Sequence, residues 1–178
     1  LLAEAAYPDG FTTTAMYDNT SANQKQAEFL KQQLGEVGIN LELNGMESAI
    51  LNERIQDVDV PGSEAEVEFY IIGWSPSTGD ADWGIRPLLA IESEPPMSYN
   101  ISYFENEELE GYIQDGLSSA DDAIRSEAYA KAQDLIWDEC PLINLCVDSN
   151  TWATANNIQN VKLYPDGAIN MKNAKMTN

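Results

Sequence analysis

Histidine is absent from these 178 residues. That removes the commonest general base and the commonest neutral metal ligand. Ser-His-Asp catalysis and a histidine-built zinc site therefore have nothing to start from. Basic residues are scarce as well: 9 Lys and Arg stand against 30 Asp and Glu, for a formal charge of −21. A field of that sign repels phosphate, which argues against nucleic acid and anionic membrane surfaces as partners and favours solubility. The two cysteines, Cys140 and Cys146, form no metal-ligand pattern. Cys140 precedes Pro141 at an expected helix end and Cys146 sits in an expected apolar strand. Both are read as free, mostly buried thiols, since a disulfide needs a close backbone approach that this spacing does not guarantee. No apolar run has the length of a membrane span. A basic leader is missing too: Leu1-Leu2-Ala3-Glu4-Ala5-Ala6 carries an acid and reads as the tail of a helix already under way, so a truncated chain without its export signal is expected.

What is present suffices for one folded domain spanning 1–178, with 43% hydrophobic residues. After a turn at Tyr7-Pro8-Asp9-Gly10, the threonine-rich run Phe11–Tyr17 predicts a strand. Ser21-Ala22-Asn23-Gln24 reads as a capping box ahead of a helix whose apolar face is Ala27, Leu30, Leu34 and Val37, closed by Gly38. Ile39, Leu41 and Leu43 alternate with polar residues as in a half-buried strand, and a helix is expected from Glu47 to about Gln56. Asp57–Glu66 reads as a loop. Val67–Trp74 is the most strand-like run and is expected at the centre of the sheet. Helices are predicted over Trp83–Ile91, from an N-cap at Asn106 to about Leu117, and over Asp121–Glu139 up to Pro141. Strands are predicted at Leu142–Val147, Thr151–Ala155 and Val161–Tyr164, with a frayed tail from Met171. This alternation indicates an α/β fold, a mixed sheet flanked by helices.

The segment richest in chemistry is Gly73-Trp74-Ser75-Pro76-Ser77-Thr78-Gly79-Asp80-Ala81-Asp82-Trp83. It leaves a predicted strand at its carboxyl end, where ligands bind in α/β folds. Trp74 and Trp83 offer flat apolar walls. Ser75, Ser77 and Thr78 offer hydrogen bonds, and the Gly79 backbone can approach a ligand closely. Asp80 or Asp82 can balance an ammonium group. The same residues also suit a surface turn pinned by two aromatic anchors. A calcium loop is disfavoured, because the later glutamate such loops need is missing. An acid pair such as Asp80 and Asp82 could serve a hydrolase, but no base, nucleophile motif or metal cluster accompanies it. No catalytic residue, metal ligand or cofactor is therefore assigned.

The segment resembles the corresponding stretch of the family 5 solute-binding proteins, and in particular their glutathione-binding members, which carry a similar Gly-Trp-Ser-x-Ser-Thr-Gly-acidic-Ala-Asp-Trp run. The likeness continues in order along nearly the whole chain. Leu1–Phe11 is similar to the start of the family's second lobe, where Ala6 is usually glycine. Gln33-Leu34-Gly35-Glu36-Val37-Gly38-Ile39, Arg125–Ile136 and Glu139-Cys140-Pro141-Leu142-Ile143 resemble later steps of the same lobe. The resemblance implies one lobe of a two-lobed periplasmic-binding-protein-like fold of type II, with about 158–178 as a returning C-terminal segment. It implies a peptide or glutathione-like ligand, an N-terminal lobe of the same protein and an ABC permease as partners, and export to the periplasm or to the cell surface as a lipoprotein. It implies transport and not catalysis. In dipeptide-binding relatives an aspartate of this loop holds the ligand's amino group, and Ser77 stands in that register here. Met46, Glu47 and Asn100 are further candidate ligand contacts, with a helix start (Glu47) and a loop-holding role (Asn100) as the alternatives. A protein-interaction module and a binding protein for a non-peptide solute are the rival readings.

Overall fold

The structure, a computed structural model, describes residues 1–57, 66–149, 151–164 and 167–177. Leu1–Tyr7 closes a helical turn: Tyr7 donates its N–H to the Leu2 carbonyl (2.8 Å) and Ala6 to that of Ala3 (3.2 Å), with Ala6 in the left-handed region at φ 67°. That pairing is a Schellman ending, a place that favours glycine. Next come β1 (Phe11–Asp18), α1 (Ser21–Glu36), β2 (Ile39–Met46), α2 (Ser48–Ile55) and β3 (Phe69–Ile71). All three strands run parallel in the order β2-β1-β3. β1 and β2 pair in register from Phe11↔Ile39 to Asp18↔Met46. Gly10 and Gly38, at φ +78° and +89°, meet where the two strands begin; a Cβ on Gly10 would collide with the Gly38 carbonyl.

Helices cover both faces. On one, α1 buries Ala27 and Leu30 against Ala15, Tyr17, Leu41 and Ile71. On the other, Leu51 and Ile55 of α2 pack with Met16 and Ile101. The N-cap of α1 is Thr20, one residue before the predicted box, and its hydroxyl accepts the Asn23 N–H at 3.2 Å. Val37, expected on the buried face, is the exposed C-cap. The run Val67–Trp74 is not a central strand. Only Phe69–Ile71 pairs, at the sheet edge, and β1 takes the centre. Its entry is tied to β1 by a side chain instead of a ladder: the Glu68 carboxylate accepts the Thr14 N–H (2.8 Å) and the Thr13 hydroxyl (2.9 Å), which together hold its pKa below the usual glutamate value. Most of the predicted 57–66 loop lies outside the described residues.

The second half is helical. α3 (Ala81–Leu89), a 3-10 turn (Ile91–Ser93), α4 (Glu107–Ser118) and α5 (Asp122–Glu139) enclose Ile85, Leu88, Leu89, Leu109, Ile113, Tyr129 and Ala132. Asn106 caps α4 as predicted, accepting the N–H groups of Glu108 and Leu109. α3 begins two residues before the predicted start because Asp80 supplies its cap. The predicted strands at Leu142–Val147 and Thr151–Ala155 do not form. No strand among the described residues pairs with them, and Ile143 and Val147 are 55% and 97% exposed. The cysteines are exposed, not buried: Cys146 lies in the unpaired run 142–147, and Cys140 is the left-handed C-cap of α5. The tail from Met171 is not frayed throughout: β4 (Ile158–Gln159) pairs antiparallel with β7 (Lys175–Met176), and β5 (Lys162–Leu163) with β6 (Ile169–Asn170). Among the described residues no helix is long and apolar enough to cross a membrane.

Candidate functional site

The order β2-β1-β3 makes the chain leave β1 toward one side while β3 extends the sheet on the other. In such a sheet a crevice opens outside the carboxyl ends of the strands where the order reverses. Here those ends are Asp18 of β1 and Ile71 of β3. A cavity of about 180 Å3 occupies that place, and Gly73, the first residue of the tryptophan-bracketed loop, forms part of its wall. A wider hollow of about 440 Å3 lies upstream over Thr14, Glu42 and Glu68, on the polar part of the α2 face. The smaller cavity adjoins the loop and sits at the strand ends, which makes it the candidate ligand site.

The loop is built by local hydrogen bonds. The Gly79 N–H donates to the Pro76 carbonyl at 2.9 Å, closing a turn whose last residue needs φ +71°. The Thr78 hydroxyl accepts the Asp80 N–H at 3.2 Å. Asp80 then caps α3, accepting the Asp82 N–H at 2.9 Å, and the Arg125 guanidinium of α5 reaches both of its oxygens at 2.7 Å. Arg125 also donates to the Gly116 carbonyl. Asp82 is 7% exposed and bound by Arg86 one helical turn on, through Nε (2.9 and 3.1 Å) and Nη2 (2.9 Å). The Asp82 hydrogen bonds in turn raise the Arg86 pKa above its usual value. Both loop acids are thus neutralised by arginines of the chain itself.

The two tryptophans are linked through a proline. Pro87 sits in α3 without an N–H for the carbonyl of Trp83, four residues back. The Trp74 indole donates to that carbonyl at 2.8 Å, and its ring packs on Tyr99 with centroids 5.4 Å apart. Trp74 is half-buried. Trp83 remains 36% exposed, with the Arg86 guanidinium 5.9 Å over its ring. Ser75, Ser77, Thr78 and Gly79 are exposed. Gly73–Trp83 therefore presents a row of hydroxyls and an aromatic face on a pinned frame.

The remaining candidates divide. Asn100 is fully buried and its amide is saturated: Nδ2 donates to the carbonyls of Ala90 (3.1 Å) and Phe104 (3.0 Å), and Oδ1 accepts the Ser102 hydroxyl (3.0 Å) and the Phe104 N–H (3.1 Å). That side chain holds the loop together. Met46 ends β2 beside Asp18 and packs half-buried against Met16, Leu51 and Ile55; Glu47 caps α2 through its backbone and leaves its carboxylate exposed. Sequence reasoning did not pick out Asp18, Ser48, Asn52 or Tyr70, which line the cavity. Asp18 was within reach, as the residue after a predicted strand. Arg86 was too, as the i+4 partner of Asp82. The Arg125–Asp80 pair spans 45 positions and leaves no local signal. Among the described residues no group of three or more His, Cys, Asp or Glu is placed to hold a metal ion.

Residues 1–93 match the family model of the bacterial extracellular solute-binding proteins, family 5 (middle part). The chain belongs to that family. It is 35% identical over 178 residues to the glutathione-binding protein GsiB of Escherichia coli (strain K12), covering 99% of this chain and 34% of that protein. The chain thus spans about a third of the length of the curated relatives it matches. Among solved structures, the dipeptide-binding protein of Pseudoalteromonas sp. SM9913 in complex with Met-Leu superposes with a TM-score of 0.80 at 24% identity, over 99% of this chain and 34% of that one. The ABC transporter-associated periplasmic binding protein DppA of Helicobacter pylori, in complex with the peptide STSA, superposes with a TM-score of 0.69 at 27% identity, over 79% of this chain and 26% of its own. Family 5 members and these relatives are binding proteins, not enzymes, and the α/β fold described above is that of one lobe of such proteins.

Proposed function

We propose that this chain is the second lobe of an exported two-lobed protein that binds a peptide or glutathione-like ligand and hands it to an ABC permease. The observation that carries the reading is the placement of the Gly73–Trp83 loop at the carboxyl ends of a parallel sheet, exposed on one side and adjoining a cavity, in a chain of this family. Trp83 packs on the ligand, and Ser75, Ser77, Thr78 and the Gly79 backbone bond its polar groups. Trp74 shapes the loop from beneath. Asp80 and Asp82 act through their arginines as loop supports and do not hold the ligand's amine. The exposed Ile143, Leu145 and Val147 are covered by the other lobe, toward which 158–178 returns. Closure of the two lobes buries the ligand and excludes water. Periplasmic or lipoprotein attachment, and the permease, follow from this role.

The test is calorimetry on a full-length protein carrying this chain, with reduced glutathione, oxidised glutathione and a pool of di- and tripeptides. Saturable binding to one of these, weakened about tenfold or more by Trp83→Ala, is the expected result. Binding of a non-peptide solute alone would overturn the peptide assignment.

A further inference from the structure

The cavity at the strand ends carries one charged side chain, that of Asp18, among its lining. One carboxylate oxygen of Asp18 accepts the Ser48 hydroxyl at 2.6 Å, and among the described residues no donor bonds the other. No Lys or Arg pairs with it either, whereas Asp80 and Asp82 are each held by an arginine. The rest of the lining combines apolar Leu51, Ile55, Ile71 and Ile72 with the neutral polar side chains of Asn23, Ser48, Asn52 and Tyr70. Burial pushes the Tyr70 hydroxyl up to about 12, so it stays neutral through the physiological range. The volume, about 180 Å3, is close to the ~150 Å3 that admits a benzene-sized group.

We infer that this cavity is a subsite for one primary ammonium on a short apolar stem, with Asp18 as its counter-ion. The inference rests on the peptide-binding reading above and names the chemistry of one part of that ligand. A carboxylate would meet Asp18 and, just beyond Met46, the exposed carboxylate of Glu47. The N-terminal ends of α1 and α2 near this edge bring only about half a positive charge each, less than these two acids together. An ammonium gains a charge-assisted hydrogen bond to the free Asp18 oxygen while its stem lies on Leu51 and Ile55. The ammonium has two sources, a lysine side chain or the peptide's own amino terminus. Either way the anchoring acid lies at the end of β1, not in the Gly73–Trp83 loop, whose position in the amine-anchor register is Ser77.

The experiment compares Ala-Lys-Ala, Ala-norleucine-Ala and N-acetyl-Ala-norleucine-Ala by calorimetry on a full-length protein carrying this chain, wild type and Asp18→Asn. Wild type is expected to lose about tenfold or more in affinity at one of the two steps. Loss on replacing lysine identifies the side chain as the source, and loss on acetylation identifies the terminus. In Asp18→Asn that step flattens while the acetylated peptide binds as before. Asn52→Asp, which adds a second carboxylate to the wall, is expected to steepen the same step, and it keeps the test independent of how well Asp18→Asn folds. If peptides bind and the step survives unchanged in both variants, the subsite assignment is wrong although the peptide reading stands. If no peptide binds and the protein takes a different solute class, the peptide reading falls and this inference with it.

Discussion

Residues 1–139 and 140–177 are written in much the same alphabet, yet they fold on different terms. The first stretch closes its own interior: three parallel strands take a helix on each face, and α3, α4 and α5 surround Leu109 and Ile113, both fully buried. The second stretch carries Ile143, Leu145, Val147 and Trp152 on the surface, and its described residues build only two-residue ladders. Alternating apolar residues make a strand only where another edge supplies hydrogen bonds and a face to bury. The first stretch contains its partners. For 142–147 none exists among the described residues, and the proposed function assigns them to the other lobe.

The contrast can be broken by mutation. Ile113→Ala empties fully buried space and is expected to cost about 3 kcal/mol in chemical unfolding. Val147→Ala, at 97% exposure, should cost close to nothing in this chain. A substantial loss there in a longer protein containing the first lobe would locate the missing partner. Asp80→Ala removes both the α3 cap and the Arg125 pair, for an expected loss of about 2 kcal/mol. It should also loosen the loop, seen as faster exchange of the Gly79 and Asp82 amides. Ala6→Gly relieves a left-handed residue at the Schellman ending and is expected to raise stability by about 1 kcal/mol. A smaller, pH-dependent effect belongs to Glu94. Burial, and then the charge of Glu105, push its carboxyl above the usual glutamate range, and its Oε1 is buried with no hydrogen-bond partner among the described residues. A raised carboxylate pKa favours the folded state at low pH, and this contribution is lost as pH rises through the raised value. Glu94→Gln should therefore be the more stable protein at pH 7, with the advantage shrinking toward about pH 4 in paired melts.

How legible the fold was follows the same division. Periodicity located α1, α2, α4 and α5, and the order of the first five elements, because each of these buries a face against something nearby in the chain. It misplaced the sheet's centre: Val67–Trp74 is the most apolar strand-like run, but β1 is flanked on both sides, and apolar content does not say which strand gains two neighbours. The Gly73–Trp83 loop was legible as a segment and not as a set of roles. Two carboxylates near a ligand edge look like amine anchors until Arg125 and Arg86 are placed on them. Pro87 carries no local mark of its role, which is to leave free the Trp83 carbonyl that orients Trp74. Asp18 stood at the end of a predicted strand with nothing in its neighbours to mark it. Its significance comes from Ser48, Tyr70 and Gly73, which are brought to it only by the parallel pairing.

The account's central claim is that ligand binds across the carboxyl ends of β1 and β3 and against the loop that follows. Amide hydrogen exchange on a full-length protein carrying this chain, with and without a saturating peptide or glutathione, measures this directly. The account predicts slowed exchange over 72–80 and at Asn19–Asn23, with 142–147 protected in both states by the other lobe. Saturating ligand that leaves 72–80 and the end of β1 unchanged while protecting another part of this chain would contradict it.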